Sequence, residues 1–338
     1  MDSIADEAVA ATNDYAAICK YQAIQLGYYK DQFLDKFLSM KVRSSAPRKA
    51  PEINRGYYVR STAIAYIVEK FIDRYPEGQI VSLGAGYDTL YWRLHSHGLI
   101  RNFDESKDEQ ATRNITYVEI DMSPVVLHKI MCIKRHKVLS DALESITFKG
   151  EGLHSKNYHL FSFDLRQVDK DPLERRLIDE CCLDRKKPTL CLAECVLVYM
   201  PTEDSYSLIG WLHQTFYLNF SIVNYEQCNM LDSFGETMKA NMSMRNCDLM
   251  GVESCGSLEM QEMRMAANGM TDIRGWTLLD ILKKCLPPSS VERVYAIEFL
   301  DENELLEQLL EHYCIMIGSN DTTDWISDNE YWLSRTTP

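Results

Sequence analysis

In Ile80-Val81-Ser82-Leu83-Gly84-Ala85-Gly86-Tyr87-Asp88-Thr89 an apolar run of strand length passes directly into a glycine turn that opens a helix. That arrangement puts the turn at the carboxyl edge of a parallel sheet, where open α/β folds bind ligands. Glycines at 84 and 86 remove the side chains that would hold a ligand away from the backbone. The position that a dinucleotide fingerprint fills with its third glycine is Thr89, so close packing against a pyrophosphate is not favoured. The pattern points instead to a nucleoside without phosphates, a description that S-adenosylmethionine meets. Such a ligand needs a carboxylate for its ribose at the end of the next strand, and Asp121 closes the run at 115–121. Asp121 follows Gly86 by 35 residues, where the dinucleotide rule expects about 20. The charged residues 101–113 read as a surface insertion that accounts for the excess. The alternative role for Asp121 is a helix N-cap ahead of Ser123-Pro124, and the two roles are compatible.

On either side of this turn the chain alternates strand and helix. Strands are expected at 79–83, 115–121, 158–165, 189–194 and 220–226, with helices at 88–97, 124–136, 172–182 and 203–217 between them. Alternation of this kind implies an α/β, Rossmann-like fold with a mostly parallel sheet and helices on both faces. Two closing strands at 291–299 and 312–318 bring the expected sheet to seven strands; the helix between them, 301–310, carries Asp301 and Glu304 in a capping pattern. Ahead of the sheet, apolar residues recur at helical spacing over 15–40, and residues 54–75 form a long helix with Tyr58, Ile64, Ile67, Val68 and Phe71 for packing. The expected organisation is a disordered lead-in at 1–14, an N-terminal helical cap at 15–78, a methyltransferase-type core at 79–226, a methionine-rich helical insertion at 227–275, core completion at 276–318 and a tail at 319–338. The methionines of the insertion suit either core packing or a substrate lid.

Composition narrows function by exclusion. A chain of 338 residues, 46% hydrophobic, can bury a large core, and a formal net charge of −14 argues against a surface that tracks nucleic-acid phosphates. Eleven cysteines without a CxxC pair give neither a disulfide framework nor a zinc pattern, and they read as reduced, mostly buried thiols. The eight histidines form no ligand cluster by spacing, so no metal is expected. No apolar run approaches the ~18 residues of a membrane span and no signal segment is apparent. The expectation is a cytoplasmic monomer, with nuclear access open.

Acidic residues end three successive expected strands: Asp121, Asp164 followed by Leu165, and Glu194 followed by Cys195. Core packing does not require them. Around a nucleoside, Asp121 suits the ribose hydroxyls, Asp164 the adenine amino group and Glu194 the amino-acid end. Each is also compatible with a cap, and Asp164 stands two residues before Arg166, a salt-bridge partner in reach.

The segments Ala50-Pro51-Glu52-Ile53-Asn54-Arg55-Gly56-Tyr57-Tyr58-Val59-Arg60, Leu83-Gly84-Ala85-Gly86-Tyr87-Asp88-Thr89, Ala193-Glu194-Cys195-Val196-Leu197-Val198-Tyr199-Met200 and Asn224-Tyr225-Glu226-Gln227 together closely resemble leucine carboxyl methyltransferase. The resemblance runs from about Cys19 to about Tyr313 and includes Cys247-Asp248-Leu249 and Glu298-Phe299-Leu300-Asp301-Glu302. It implies a class I S-adenosylmethionine-dependent enzyme that methylates the C-terminal leucine of the protein phosphatase 2A catalytic subunit. By the same resemblance Lys20 and Arg60 reach the cofactor, with Arg60 on its carboxylate, a task that suits a bidentate guanidinium. Gly84, Gly86, Asp121, Asp164, Leu165 and Glu194 match cofactor positions, and Tyr199 lies beside the zone of methyl transfer. From the residues alone, Arg60 reads as a solvated helix residue.

The implied chemistry needs no general base, because a chain-terminal carboxyl has a pKa of about 3.3–3.7 and is already an ionised nucleophile at neutral pH. The absence of a recognisable Ser/His/Asp or Cys/His set agrees with this. Competing readings are the related carboxyl methyltransferase of tRNA wybutosine synthesis, a cofactor-binding scaffold without turnover, and a nicotinamide-dependent oxidoreductase. The acidic charge disfavours the first and Thr89 the last.

Overall fold

Five runs that are apolar in sequence pair in parallel at the centre of the sheet. The computed structural model describes residues 3–100, 113–167, 171–321, 325, 326 and 333, so most of the expected insertion at 101–113 lies outside the described residues. The strands are β1 (Gln79–Leu83), β2 (Thr116–Asp121), β3 (Thr147–Lys149), β4 (Gly152–His154), β5 (Tyr158–Ser162), β6 (Thr189–Glu194), β7 (Phe220–Gln227), β8 (Asp272–Thr277) and β9 (Tyr313–Ser319). Their order across the sheet is β3-β4-β5-β2-β1-β6-β7-β9-β8. Strands β5, β2, β1, β6 and β7 are mutually parallel, whereas β9, β8, β4 and β3 add antiparallel edges.

Alternation along the parallel strands divides the core into two layers. Ile80, Leu190, Leu192, Val223 and Tyr225 enter one apolar cluster, and Val81, Leu83, Cys191, Ala193 and Ile222 enter the other. Both faces are therefore covered, which is why these strands read as continuous apolar runs. Cys191 acts as a small apolar residue, and all eleven cysteines are free thiols. No helix among the described residues is long and apolar enough to cross a membrane.

The helices are α1 (Ser3–Gln25), α2 (Met40–Ser45), α3 (Pro51–Arg74), α4 (Leu90–Ser96), α5 (Ser123–Arg135), α6 (Lys137–Ser140), α7 (Asp171–Arg175), α8 (Thr202–Thr215), α9 (Ser233–Ser243), α10 (Leu258–Ala267), α11 (Leu278–Asp280), α12 (Pro288–Ile297) and α13 (Asn303–Glu311). Helix α3 starts at a proline, whose missing N–H costs nothing at that position, and it buries Tyr58, Ile64, Ile67, Val68 and Phe71.

The structure corrects four expectations. The sheet has nine strands, because β8 and the β3–β4 hairpin join it. Strand β8 is half-buried along its whole length and β3 is exposed, so neither carries an apolar run. Residues 291–299 do not form a strand: Pro288 at the first turn starts α12, which covers 288–297 and buries only Val294. Residues 3–14 of the expected disordered lead-in are instead the first half of α1. Finally, α13 has Glu302 at its N-cap with no side-chain cap, so the Asp301/Glu304 pattern is not used. Part of the tail also returns to the core, where Ile326 and Leu333 are buried.

Candidate active site

The chain passes from β1 outward to β2 and β5 and then returns to β6 on the other side of β1, so β1 and β6 mark the point where strand order reverses. A crevice opens beyond the carboxyl ends of such a pair. At the end of β1, Gly84 and Gly86 have φ of 57° and 53°, the left-handed region that glycine enters without strain. A Cβ at Gly84 would stand 2.6 Å from Val196 Cγ2, beyond the end of β6. Cys195, between Glu194 and Val196, is itself left-handed (φ 56°), and its N–H donates to the Tyr225 carbonyl at 2.7 Å. Backbone strain of this kind concentrates at functional sites.

A cavity of ≈ 620 Å³ opens here, and Lys20, Arg60, Gly84, Gly86, Asp121, Asp164, Leu165, Glu194 and Tyr199 all line it. The nine candidates span α1 to the turn after β6, and the fold brings every one of them to this single space. Asp121 is held by two backbone donors, Gly86 N–H at 2.6 Å and Met122 N–H at 2.7 Å. Burial raises its pKa, and those two donors work against the shift. The N-cap of α5 is Met122, so the cap alternative for Asp121 is not realised in its simple form.

Arg60 is buried, contrary to its sequence appearance. Its Nε donates to Glu194 Oε2 at 2.7 Å, and its guanidinium lies over the Tyr225 ring at 4.3 Å. Burial opposes the charge, but Glu194 and the surrounding tyrosines outweigh it and keep Arg60 cationic. Tyr225 stacks on Tyr313 with centroids 5.5 Å apart, so an aromatic wall backs this ion pair. Lys20 Nζ bonds Asp88 Oδ1 at 3.0 Å, which ties α1 to the glycine turn. Burial would raise the Asp88 pKa, but Lys20, Arg93 and Lys129 together pull it below the ordinary range.

Asp164 is gripped by Arg166, whose Nε and Nη2 reach its two oxygens at 2.8 and 2.9 Å. The salt-bridge alternative read from sequence is thus realised. Burial raises the Asp164 pKa and Arg166 more than reverses this. Arg166 also reaches across to α1 through Asp6, at 2.7 Å.

Sequence reasoning missed the part played by the first half of α1. Asn13 accepts a hydrogen bond from Tyr87 N–H at 2.8 Å, directly over the turn, and residues 8–13 line the cavity. Their small side chains form no apolar stripe, so no pattern announced them. Replacing Gly86 by alanine is expected to cost about 1–2 kcal/mol from its left-handed backbone. The new methyl would also meet Asn13 Oδ1 and lift α1 from the turn. Hydrogen exchange of the α1 amides reads this directly; unchanged protection together with unchanged stability would refute it.

The profile of the leucine carboxyl methyltransferase family matches residues 8–213. The chain belongs to the leucine carboxyl methyltransferase family. Leucine carboxyl methyltransferase 1 of Rattus norvegicus is 37% identical over 317 residues, covering 92% of this chain and 89% of the relative. The protein of the same name from Bos taurus is 38% identical over the same shares. A methyltransferase candidate of known structure from Thermobifida fusca has a TM-score of 0.50 at 12% identity, over 90% of this chain and 94% of the other, a likeness of fold. S-adenosyl-L-methionine is the cofactor that goes with a leucine carboxyl methyltransferase of this fold. The residues present suit it: a side-chain-free turn, an oriented carboxylate, and a buried cation against an aromatic wall share one cavity.

Proposed function

We propose that this leucine carboxyl methyltransferase transfers a methyl group to the α-carboxylate of the C-terminal leucine of the protein phosphatase 2A catalytic subunit, forming a methyl ester that regulates holoenzyme assembly. The convergence of Arg60, Gly84, Gly86, Asp121, Asp164, Leu165 and Glu194 on one cavity carries this reading. When bound, S-adenosyl-L-methionine supplies an electrophilic methyl on a sulfonium centre. Asp121 would hold ribose hydroxyls, Asp164 and Leu165 the adenine end, and Arg60, with Lys20 beside it, the cofactor carboxylate. Phe234, Met238, Met242, Leu309 and Leu310 line the same cavity and suit a leucine side chain.

The chain's own task is positioning and drying. An ionised carboxylate needs no base. What accelerates its reaction with a cationic methyl donor is removal of water from both charges and alignment of the reacting atoms. Tyr199 lies on the turn after β6 and lines the cavity, where it would border the acceptor carboxylate. Eleven free thiols support a reducing compartment, the cytoplasm with nuclear access.

The test is transfer of labelled methyl to phosphatase with and without its terminal leucine. Base-labile label that requires this residue is the expected result. Label on the leucine-deleted form would mean a different acceptor.

A further inference from the structure

The spacing of the histidines gave no ligand cluster, but the fold creates one. Strands β4 and β5 form a tight antiparallel pair in which His154 stands opposite His159, and the chain returns past them at Cys181, after the π-turn Arg176–Glu180. One nitrogen of each ring and the Cys181 Sγ all lie within 4.8 Å of one another, and all three residues are buried. The two Nδ1 atoms are 3.1 Å apart. Nitrogens at the usual 2.0–2.1 Å from a shared zinc and separated by that distance subtend roughly 100°, near the tetrahedral value.

We propose that His154, His159 and Cys181 form a binding site for a zinc ion, held by two imidazole nitrogens and one thiolate with the fourth tetrahedral position left to water. With the ring proton of each imidazole on Nε2, both Nδ1 lone pairs face one another at 3.1 Å, a contact that repels unless a cation lies between them. Both rings are buried, and the neutral imidazole is the form that ligates. The Cys181 S–H proton leaves to solvent as the Zn–S bond forms.

The charges around the site permit a cation. Arg176, near His154, is ion-paired to Glu180 at 2.9 Å, and Lys149, which shares that carboxylate at 2.8 Å, is exposed to screening by solvent. None of the three ligands lines the methyltransferase cavity. The ion would therefore clip the β4–β5 hairpin to the segment after α7, with methyl transfer left untouched.

The full-length, metal-free protein should be titrated with Co²⁺ as a spectroscopic probe and then with Zn²⁺. One equivalent of Co²⁺ with a thiolate-to-cobalt charge-transfer band, abolished by Zn²⁺, and release of about one proton per ion are expected. Cys181→Ser and His159→Asn should each weaken Co²⁺ binding by about a hundredfold or more, beyond the 10–100-fold lost with outer-shell partners. Cys181→Ser should also remove the band. Cys182→Ser, at the exposed neighbour, should change neither. Should Cys181→Ser fail to fold by circular dichroism, His159→Asn carries the same affinity test. Absence of the band, or a band that persists in Cys181→Ser or disappears in Cys182→Ser, would overturn the assignment.

Discussion

Arg264→Met is expected to destabilise the protein by about 3–5 kcal/mol, because it leaves a buried carboxylate without its partner. Arg264 Nη2 lies 2.6 Å from Glu226 Oε2, and both side chains are fully removed from solvent. The other oxygen of Glu226 accepts the Val198 N–H at 2.6 Å, one residue before Tyr199. The pair therefore anchors the turn 197–199 from beneath, and its loss should also lower methyl transfer. Arg264 Nε and Nη1 have no partners among the described residues, so the pair is not fully satisfied and its net contribution is smaller than the cost of breaking it. The double variant Glu226→Gln/Arg264→Met should accordingly recover much of the loss. Urea denaturation of the parent and these two variants reads both statements. A single variant within 1 kcal/mol of the parent, on the order of surface substitutions, would contradict the first.

Arg60→Ala should weaken S-adenosyl-L-methionine binding roughly ten- to hundredfold, the equivalent of a charge-assisted contact of ~1.5–3 kcal/mol. The structure adds a second reason for a loss at the upper end of that range. Arg60 neutralises Glu194 at 2.7 Å, so alanine would leave a half-buried carboxylate beside the space proposed for the cofactor's own carboxylate. Arg60→Lys keeps the charge but not the planar fork, and should fall between the two. Calorimetric titration with the cofactor measures all three proteins. Unchanged affinity in Arg60→Ala would remove Arg60 from the site.

Strands that the parallel sheet covers on both faces were legible as sequence because burial on two sides demands apolar residues at every position. β1 and β6 appear where the apolar runs predict them, and β7 and α3 within a few residues. The edges were not legible for the converse reason: β8 faces partial solvent along its length and β3 full solvent, so neither needs a hydrophobic run. Residues 291–299 misled because Val291, Ile297 and Phe299 are spaced as plausibly for a strand as for a helix, and the decision fell to Pro288 and to packing on Val294.

By itself the sequence determined the glycine turn at 84–86, the acids that end the strands and the class of fold, since backbone freedom and alternating burial are local demands written residue by residue. Only the tertiary structure decided what those residues touch. Arg60 becomes a buried partner of Glu194, 134 positions away. The segment at 3–25 becomes the roof of the cavity through Asn13 and Asp6, and His154, His159 and Cys181 become neighbours. A charged or polar side chain carries no mark of its eventual partner, because the energy that fixes such a pair arises when distant segments exclude water together.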